Sequence, residues 1–318
     1  MYKKIFITGA AGFIGSHLAE KLYNFFSKSQ FILFDKITYA ANKKYLKDLL
    51  NKKNVKFVKG DLLNLKILET NLKNIDLAIN VAAESHVDNS FGNSLIFTQT
   101  NTLGTHNFLE ACRKQRVRKI IHVSTDEVYG ENFGKPFDEK QSLNPTNPYS
   151  ASKAGADMMV NAYKKSYKLN INTVRANNIY GTRQYPEKLI SKTIYNFIHN
   201  KKMTIHGKGN SYRYYLSVQD FCDGILQIIN RGKFQEIYNI ASDKKYKVTH
   251  VIKIISNYLN KNFKKNTKYV SNRPFNDRIY NINCNKLKKL SWRAQRNLKD
   301  DIPFIINWYK VNKNIFKK

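Results

Sequence analysis

Ile5-Phe6-Ile7-Thr8 runs into Gly9-Ala10-Ala11-Gly12-Phe13-Ile14-Gly15, and the fold turns on how this stretch is read. An apolar, β-branched run passes without a polar spacer into a glycine loop and then a helical pattern, which is how a buried strand feeds the N-terminus of a helix. The spacing is G-x-x-G-x-x-G. Gly9 permits the tight turn, Gly12 lets backbone amides approach a pyrophosphate, and Gly15 lets helix and strand pack closely. The amides and the helix dipole then hold the anion. The spacing is one residue longer than the G-x-G-x-x-G fingerprint, and glycines also mark ordinary strand-to-helix turns. The surrounding chain therefore has to decide.

Outward from this loop, short apolar runs alternate with longer amphipathic ones. Strands are expected at Lys4-Thr8, Phe31-Phe34, Val55-Lys59, Leu77-Val81, Lys119-Ser124 and Ile171-Arg175, and helices at Gly15-Phe26, Lys43-Asn51, Leu65-Asn71, Asn101-Gln115 and Ser150-Tyr167. That is the βαβ rhythm of an α/β fold, a doubly wound parallel sheet of Rossmann type. After Arg175 the rhythm fades. Helices are expected near Pro186-Asn200, Asp220-Asn230 and Val248-Asn260, with Glu236-Ile240 as a strand returning to the main sheet. The expected organisation is a first domain over residues 1–177, with returning segments near 214–240, and a smaller, interleaved C-terminal lobe over 178–318.

Composition narrows the class. With 318 residues, 42% hydrophobic and 13% aromatic, there is ample material for a core, so disorder is not expected. No run approaches the roughly 18 apolar residues of a membrane span. The start, Met1-Tyr2-Lys3-Lys4, reads as the approach to a first strand, not as a leader. Cys112, Cys222 and Cys284 are odd in number and far apart, which suits neither a disulfide framework nor a metal site, and a reducing cytoplasm is expected. The net charge is 55 − 23 = +32. Its lysines are dispersed in doublets such as Lys43-Lys44 and Lys264-Lys265, without the basic block and interleaved aromatics of a nucleic-acid surface. Neither nucleic acid nor membrane is expected as a partner.

Polar residues at strand ends supply the chemistry. Asp35 follows the second strand 20 residues beyond Gly15, where a carboxylate accepts from a ribose diol and repels a 2′-phosphate, so NAD is expected over NADP. The alternative is a solvated turn aspartate. Asp61 is placed to accept from an adenine amino group or to cap the helix that follows. Tyr149 and Lys153 stand four apart at the start of a helix and share a face. A phenol with a pKa of about 10 is a poor base unless a nearby cation stabilises its phenolate. Ser124-Thr125-Asp126-Glu127 follows an apolar strand, so two adjacent acids enter the ligand crevice, unless they form only an acidic capping turn.

Thr8 to Gly15 together with Tyr149-x-x-x-Lys153 resembles the extended short-chain dehydrogenase/reductase family. Ala82-Ala83-Glu84-Ser85-His86-Val87-Asp88, Ser124 to Gly130, Tyr149 to Ala154 and Tyr185-Pro186-Glu187-Lys188-Leu189-Ile190 are similar to its dTDP-glucose 4,6-dehydratase branch, over nearly the whole chain. The resemblance implies a hydro-lyase acting on a nucleotide-diphosphate hexose with NAD. Tyr149 takes the C4 hydroxyl proton as C4 is oxidised, supported by Lys153 and Thr125. Glu127 abstracts the C5 proton while Asp126 protonates the departing C6 hydroxyl, and hydride returns to C6. It further implies a cofactor site of Gly9, Gly12, Phe13, Ile14, Gly15, Asp35, Lys36, Thr38, Asp61, Leu62, Ala82, Ala83, Ser85, Thr100, Tyr149 and Lys153. Substrate contacts fall on Ser85, His86, Thr125, Asn178, Glu187, Lys188, Leu189, His206, Arg213, Arg273 and Asn276. Thr204 and His206 replace a family Pro and Tyr near the base, which leaves UDP-glucose or another nucleotide hexose as an alternative to dTDP-glucose. An epimerase or decarboxylase on the same scaffold is the other reading, and Asp126 with Glu127 argues against it. A homodimer through the Asn101-Gln115 and Ser150-Tyr167 helices is implied.

Overall fold

A computed structural model of the chain describes residues 2–272 and 278–316. Seven parallel strands form its main sheet: β1 (Lys4–Thr8), β2 (Gln30–Asp35), β3 (Val55–Lys59), β4 (Leu77–Asn80), β5 (Lys119–Thr125), β6 (Ile171–Ala176) and, after a small three-residue strand β7 (Asn178–Tyr180) and strands β8 (Met203–His206) and β9 (Tyr212–Ser217) elsewhere, β10 (Ile237–Ile240). Their order is β10-β6-β5-β4-β1-β2-β3. The order reverses between β1 and β4, the switch point at which doubly wound sheets leave a crevice beyond the strand ends. The central strands are buried on both faces, which is why they read as unbroken apolar runs.

Helices cover both faces and divide the core in two. Ile5, Ile7, Leu18, Leu33 and Phe221 belong to one layer, and Phe6, Phe34, Leu68, Phe108 and Val160 to the other. Alternate residues of β1 thus face opposite layers, as the pleat requires. The chain also crosses back into the first layer well beyond β10, through Ile282, Cys284, Leu287 and Trp292.

A separate core lies in the C-terminal part, where Ile194, Phe197, Ile252, Ile255, Ile302 and Tyr309 pack the helices Leu189–Ile198, Val248–Tyr258 and Leu298–Val311 together. Two small sheets accompany it. β7 pairs in parallel with β9, and β9 is antiparallel to β11 (Lys245–Lys247). β8 pairs in parallel with β12 (Thr267–Val270).

Several elements differ from the sequence expectation. The Asn101-Gln115 helix begins earlier, as a π-helical stretch Thr98–Leu103 that continues into α-helix Gly104–Lys114. The Lys43-Asn51 helix is a 3-10 turn Lys43–Leu46 joined to Lys47–Leu50. The Tyr149 helix starts at Pro148. Asn147 accepts from the Ser150 amide at 2.9 Å, and the Ser150 hydroxyl accepts from the Asn147 amide at 3.1 Å. This reciprocal cap, with proline in the first turn, fixes where the helix begins. The helix expected from Pro186 begins at Leu189, because residues 185–188 form a turn closed by the Glu187 amide on the Tyr185 carbonyl. No helix of the described residues is long and apolar enough to cross a membrane.

Candidate active site

The glycine loop is drawn in as tightly as the sequence suggested. Gly9 has φ +64°, and a Cβ there would stand 2.8 Å from Ala82 Cα; a Cβ on Gly15 would stand 2.0 Å from the Gly9 carbonyl oxygen. The Thr8 hydroxyl accepts from the Val81 and Ala82 amides at 3.1 Å each and donates to Asn80 Oδ1 at 2.7 Å. The end of β4 is thereby fixed against the loop. The helix Phe13–Phe25 follows with no side-chain cap on its first amides, which leaves them as donors for an anion.

Asp35 is buried and not a solvated turn residue. One carboxylate oxygen accepts from the Ala11 amide at 2.9 Å and the other from the Ile37 amide at 2.7 Å. Burial raises its pKa, while these two amides oppose the rise. A carboxylate has about four acceptor positions, so two remain for a ribose diol. Beside it, Lys36 Nζ pairs with Asp61 Oδ2 at 2.7 Å. Asp61 caps no helix: its other oxygen closes a turn on the Leu63 amide, and the cap of helix Leu65–Asn71 is Asn64. The backbone cradle and the spare acceptors on Asp35 fit the pyrophosphate and ribose of a dinucleotide.

One cavity of about 450 Å³ runs along the carboxyl ends of the strands into the C-terminal part. Every site residue named from the sequence and present among the described residues lines it, from Gly9, Asp35 and Thr100 to Asn178, Glu187, His206 and Arg213. Arg273 and Asn276 lie outside the described residues.

At the centre, β5 ends in Thr125, and Asp126–Tyr129 form a 3-10 turn on which Thr125 Oγ1 accepts from the Glu127 amide at 3.3 Å. Asp126 and Glu127 are buried, so they do more than cap. Asp126 has a pKa pushed up to about 7, first by burial and then by the charge of Glu127, against donors from Asn177 and Thr125 and the charge of Arg213.

From the sequence, stabilisation of the Tyr149 phenolate falls to an ammonium together with an oxidised nicotinamide, and the protein's own groups do not supply it alone. The Tyr149 pKa is raised by burial and by Glu127, with Thr125 opposing as a hydrogen-bond partner. In the chain by itself it is a phenol. Lys153 Nζ donates to the Val123 carbonyl at 2.7 Å, and burial lowers its pKa to about 8 against the charge of Asp157. The ammonium of Lys188 lies 5.8 Å from the centre of the Tyr149 ring and donates to the Ser85 carbonyl at 2.5 Å.

Other residues, some of them supporting the site from outside the cavity lining, were not legible in advance. Asp157, one turn beyond Lys153, is buried and pairs with Arg175 at 2.8 Å and with His122 at 3.5 Å. Burial acts to raise its pKa, but His122, Arg175 and Lys153 outweigh it and hold the carboxyl at about 2. Asn101, turned inward by the π-helical stretch, accepts from the Glu84 amide and donates to the Glu84 carbonyl, both at 2.9 Å, and also donates to Ser152 Oγ at 2.9 Å. Glu84 lines the cavity with its pKa raised by burial and by Glu187, and Glu187 accepts from the Tyr39 hydroxyl at 2.9 Å. Only the string Ala82 to Asp88 marked that segment, and it singled out Ser85 and His86 instead. Among the described residues no cluster of His, Cys, Asp and Glu is arranged to hold a metal ion.

A glycine-loop dinucleotide crevice that opens onto a buried Tyr-x-x-x-Lys pair defines an extended short-chain dehydrogenase/reductase. Within that class the chain belongs to the GDP-mannose 4,6 dehydratase family, whose model matches residues 6–303. It is 41% identical over 358 residues to a dTDP-D-glucose 4,6-dehydratase of Dictyostelium discoideum, covering 98% of this chain and 82% of that protein. It is 42% identical to a trifunctional UDP-glucose 4,6-dehydratase/UDP-4-keto-6-deoxy-D-glucose 3,5-epimerase/UDP-4-keto-L-rhamnose-reductase of Arabidopsis thaliana, where the match covers 98% of this chain and 47% of the larger one. The structure superposes on a dTDP-glucose 4,6-dehydratase of Streptomyces venezuelae, crystallised with NAD, with a TM-score of 0.96 at 32% identity and 99% coverage of both chains.

Proposed function

We propose that the chain catalyses the NAD-dependent 4,6-dehydration of a nucleoside-diphosphate glucose, dTDP-glucose first, giving the 4-keto-6-deoxy sugar. The observation that carries this reading is the convergence of Tyr149, Lys153, Thr125, Asp126 and Glu127 on one cavity that the glycine loop also lines. NAD, when bound along the loop and Asp35, supplies the positive charge that favours the Tyr149 phenolate and the redox partner that sugar C4 and C6 use in turn.

The remaining work belongs to the side chains. Tyr149 Oη takes the proton of the C4 hydroxyl, with Thr125 hydrogen-bonded to the phenol. Lys153, one turn further along the same helix and anchored on the Val123 carbonyl, supplies positive charge to the same cavity. The carbonyl at C4 acidifies C5, and Glu127 accepts that proton. Asp126, its pKa pushed up to about 7 by burial and by Glu127 so that it can carry a proton near neutral pH, donates to the C6 hydroxyl, which departs as water. One acid must be charged and its neighbour neutral, and adjacent buried carboxyls are pushed apart in this way. Lys188, Glu187 and Arg213, which line the same cavity, suit the diphosphate and sugar.

A second reading, UDP-glucose as substrate, is favoured by the UDP-glucose-acting Arabidopsis relative and by Thr204 and His206, which line the cavity where the dTDP branch carries Pro and Tyr. Incubation with dTDP-glucose and with UDP-glucose separately, followed by mass spectrometry for loss of one water, tests both readings. Absence of product from both would end the proposal. The three cysteines are free and buried, in keeping with a reducing cytoplasm. A homodimer is supported by Leu95, Leu103 and Met158, apolar side chains left exposed on the segments leading to and forming the two helices named for it.

A further inference from the structure

Asp126 is held by a residue to which the steps above give no part. Asn177 occupies the one-residue gap between β6 and β7, is buried, and donates from Nδ2 to Asp126 Oδ2 at 2.8 Å. Its other end is anchored. Asn177 Oδ1 accepts from the Ser242 amide at 3.2 Å, and its own amide donates to the Ile240 carbonyl at 3.2 Å. A backbone N–H can only donate, so the carbonyl end of the Asn177 amide has to face Ser242 and the NH2 end has to face Asp126. Oδ2 of Asp126 is therefore the acceptor. A protonated carboxyl oxygen is a poor acceptor, so the Asn177 donor favours the Asp126 proton on Oδ1, where the Thr125 hydroxyl that donates at 3.3 Å can turn to accept.

We infer that Asn177 is a positioning residue for the elimination: it biases which oxygen of Asp126 delivers the proton to the leaving hydroxyl, and it sets the pH above which that proton is lost. The inference rests on the dehydratase reading and on Asp126 as its acid. The groups facing Asp126 are Glu127 on its own turn, Thr125 at the end of β5, Tyr149 on the helix Pro148–Tyr167, Arg213 on β9 and Asn177 itself. Glu127 and burial favour the neutral carboxyl, whereas Arg213, Thr125 and Asn177 favour the charged one. Removing the Asn177 donor therefore moves Asp126 further toward the neutral form.

The test uses the full-length, NAD-loaded protein and its Asn177→Ala and Asn177→Asp variants. Rates of water loss from the nucleotide glucose are followed against pH, beside rates with an analogue bearing fluorine at C6, whose departure needs less help from an acid. Asn177→Ala should slow water loss by about 10- to 100-fold near neutrality and move the alkaline limb up by about one pH unit. The deficit should shrink on the fluoro analogue. Asn177→Asp keeps the shape and the acceptor for Ser242 while removing the donor, so it answers the same question if the alanine variant does not fold. Its paired carboxyls should move the limb upward as well. An unmoved limb in the folded variants, with equal loss on both substrates, would reduce Asn177 to packing and overturn the inference. A wild-type protein that removes water from neither dTDP-glucose nor UDP-glucose would instead overturn the dehydratase reading beneath it.

Discussion

Replacing Gly15 by alanine tests the dinucleotide site where its geometry is tightest. The added methyl would stand 2.0 Å from the Gly9 carbonyl oxygen, 2.7 Å from Gly9 C and 2.9 Å from Ala10 Cα. All three are backbone atoms, so no flexible side chain can swing away. Restoring an ordinary 3.4 Å contact to the oxygen means opening the loop–helix junction by 3.4 − 2.0 = 1.4 Å. Overpacking that side chains absorb costs about 1–3 kcal/mol; a backbone displacement of this size should cost about 3 kcal/mol or more. A shift that large also exceeds the 2.7–3.2 Å window of an amide hydrogen bond. Losing one bond to a charged phosphate, worth about 1.5–3 kcal/mol, should weaken NAD roughly ten- to hundredfold. Gly12→Ala is the control, because its methyl would stand 3.2 Å from the same oxygen and asks for only a few tenths of an ångström. That variant should lose NAD affinity through the blocked approach of the pyrophosphate and keep most of its stability. Calorimetric titration with NAD and thermal unfolding measure the two quantities. A Gly15→Ala protein with unchanged melting and unchanged affinity would refute the reasoning.

Separate steps should fail separately. Tyr149→Phe should lower oxidation at C4 by roughly 10²- to 10⁴-fold, while Glu127→Gln should retain C4 oxidation, seen as reduced-nicotinamide absorbance in a single turnover, yet release no water; full activity in either variant would remove that assignment. Asp157 has its pKa held at about 2 against about 3.9 in an unfolded chain. Its ionised form thus contributes about 2–3 kcal/mol above pH 4, which is lost as pH falls from 4 to 2. Asp157→Asn should cost about 3–5 kcal/mol at neutral pH, because Arg175 and His122 lose their buried partner, and should flatten the stability profile between pH 4 and 2 in urea titrations. Sedimentation at micromolar protein should give a dimer, and a monomer throughout would contradict the proposed association.

The main sheet was legible because its central strands are buried on both faces and announce themselves as apolar runs, while the half-exposed edge strand β3 shows apolar Val55, Phe57 and Val58 interleaved with Lys56 and Lys59. β1 and β3 fall on the expected residues, β4, β5, β6 and β10 differ by a residue at one end, and β2 by a residue at each end. The small strands β7, β8, β9, β11 and β12 were not, because they are only three to six residues long; even β8, which alternates buried Met203 and Ile205 with Thr204 and His206, is too short a run to stand out, and pairing alone defines them. The site divides along the same line. Gly9, Gly12, Gly15, Tyr149 and Lys153 carry their spacing in the sequence. Asn101, Asp157 and Asn177 act through partners far away in the chain, and a lone buried amide or acid has no pattern of its own. The direction of the Tyr149 pKa was also out of reach, since it depends on burial and on the nearness of Glu127 in space.

The place of β10 in the sheet has a consequence for how the protein is made. It pairs with β6, yet about 60 residues of chain, including β7, β8 and β9, emerge between the two. While the ribosome synthesises that stretch, β6 is the outer strand of an unfinished sheet and its row of backbone amides is open to any passing strand. Ser242, which orients Asn177, arrives only after β10. The acid of the site thus acquires its fixed orientation only after the nascent sheet has been closed at its edge, and a chain truncated before residue 237 would present both a sticky border and an unaimed Asp126.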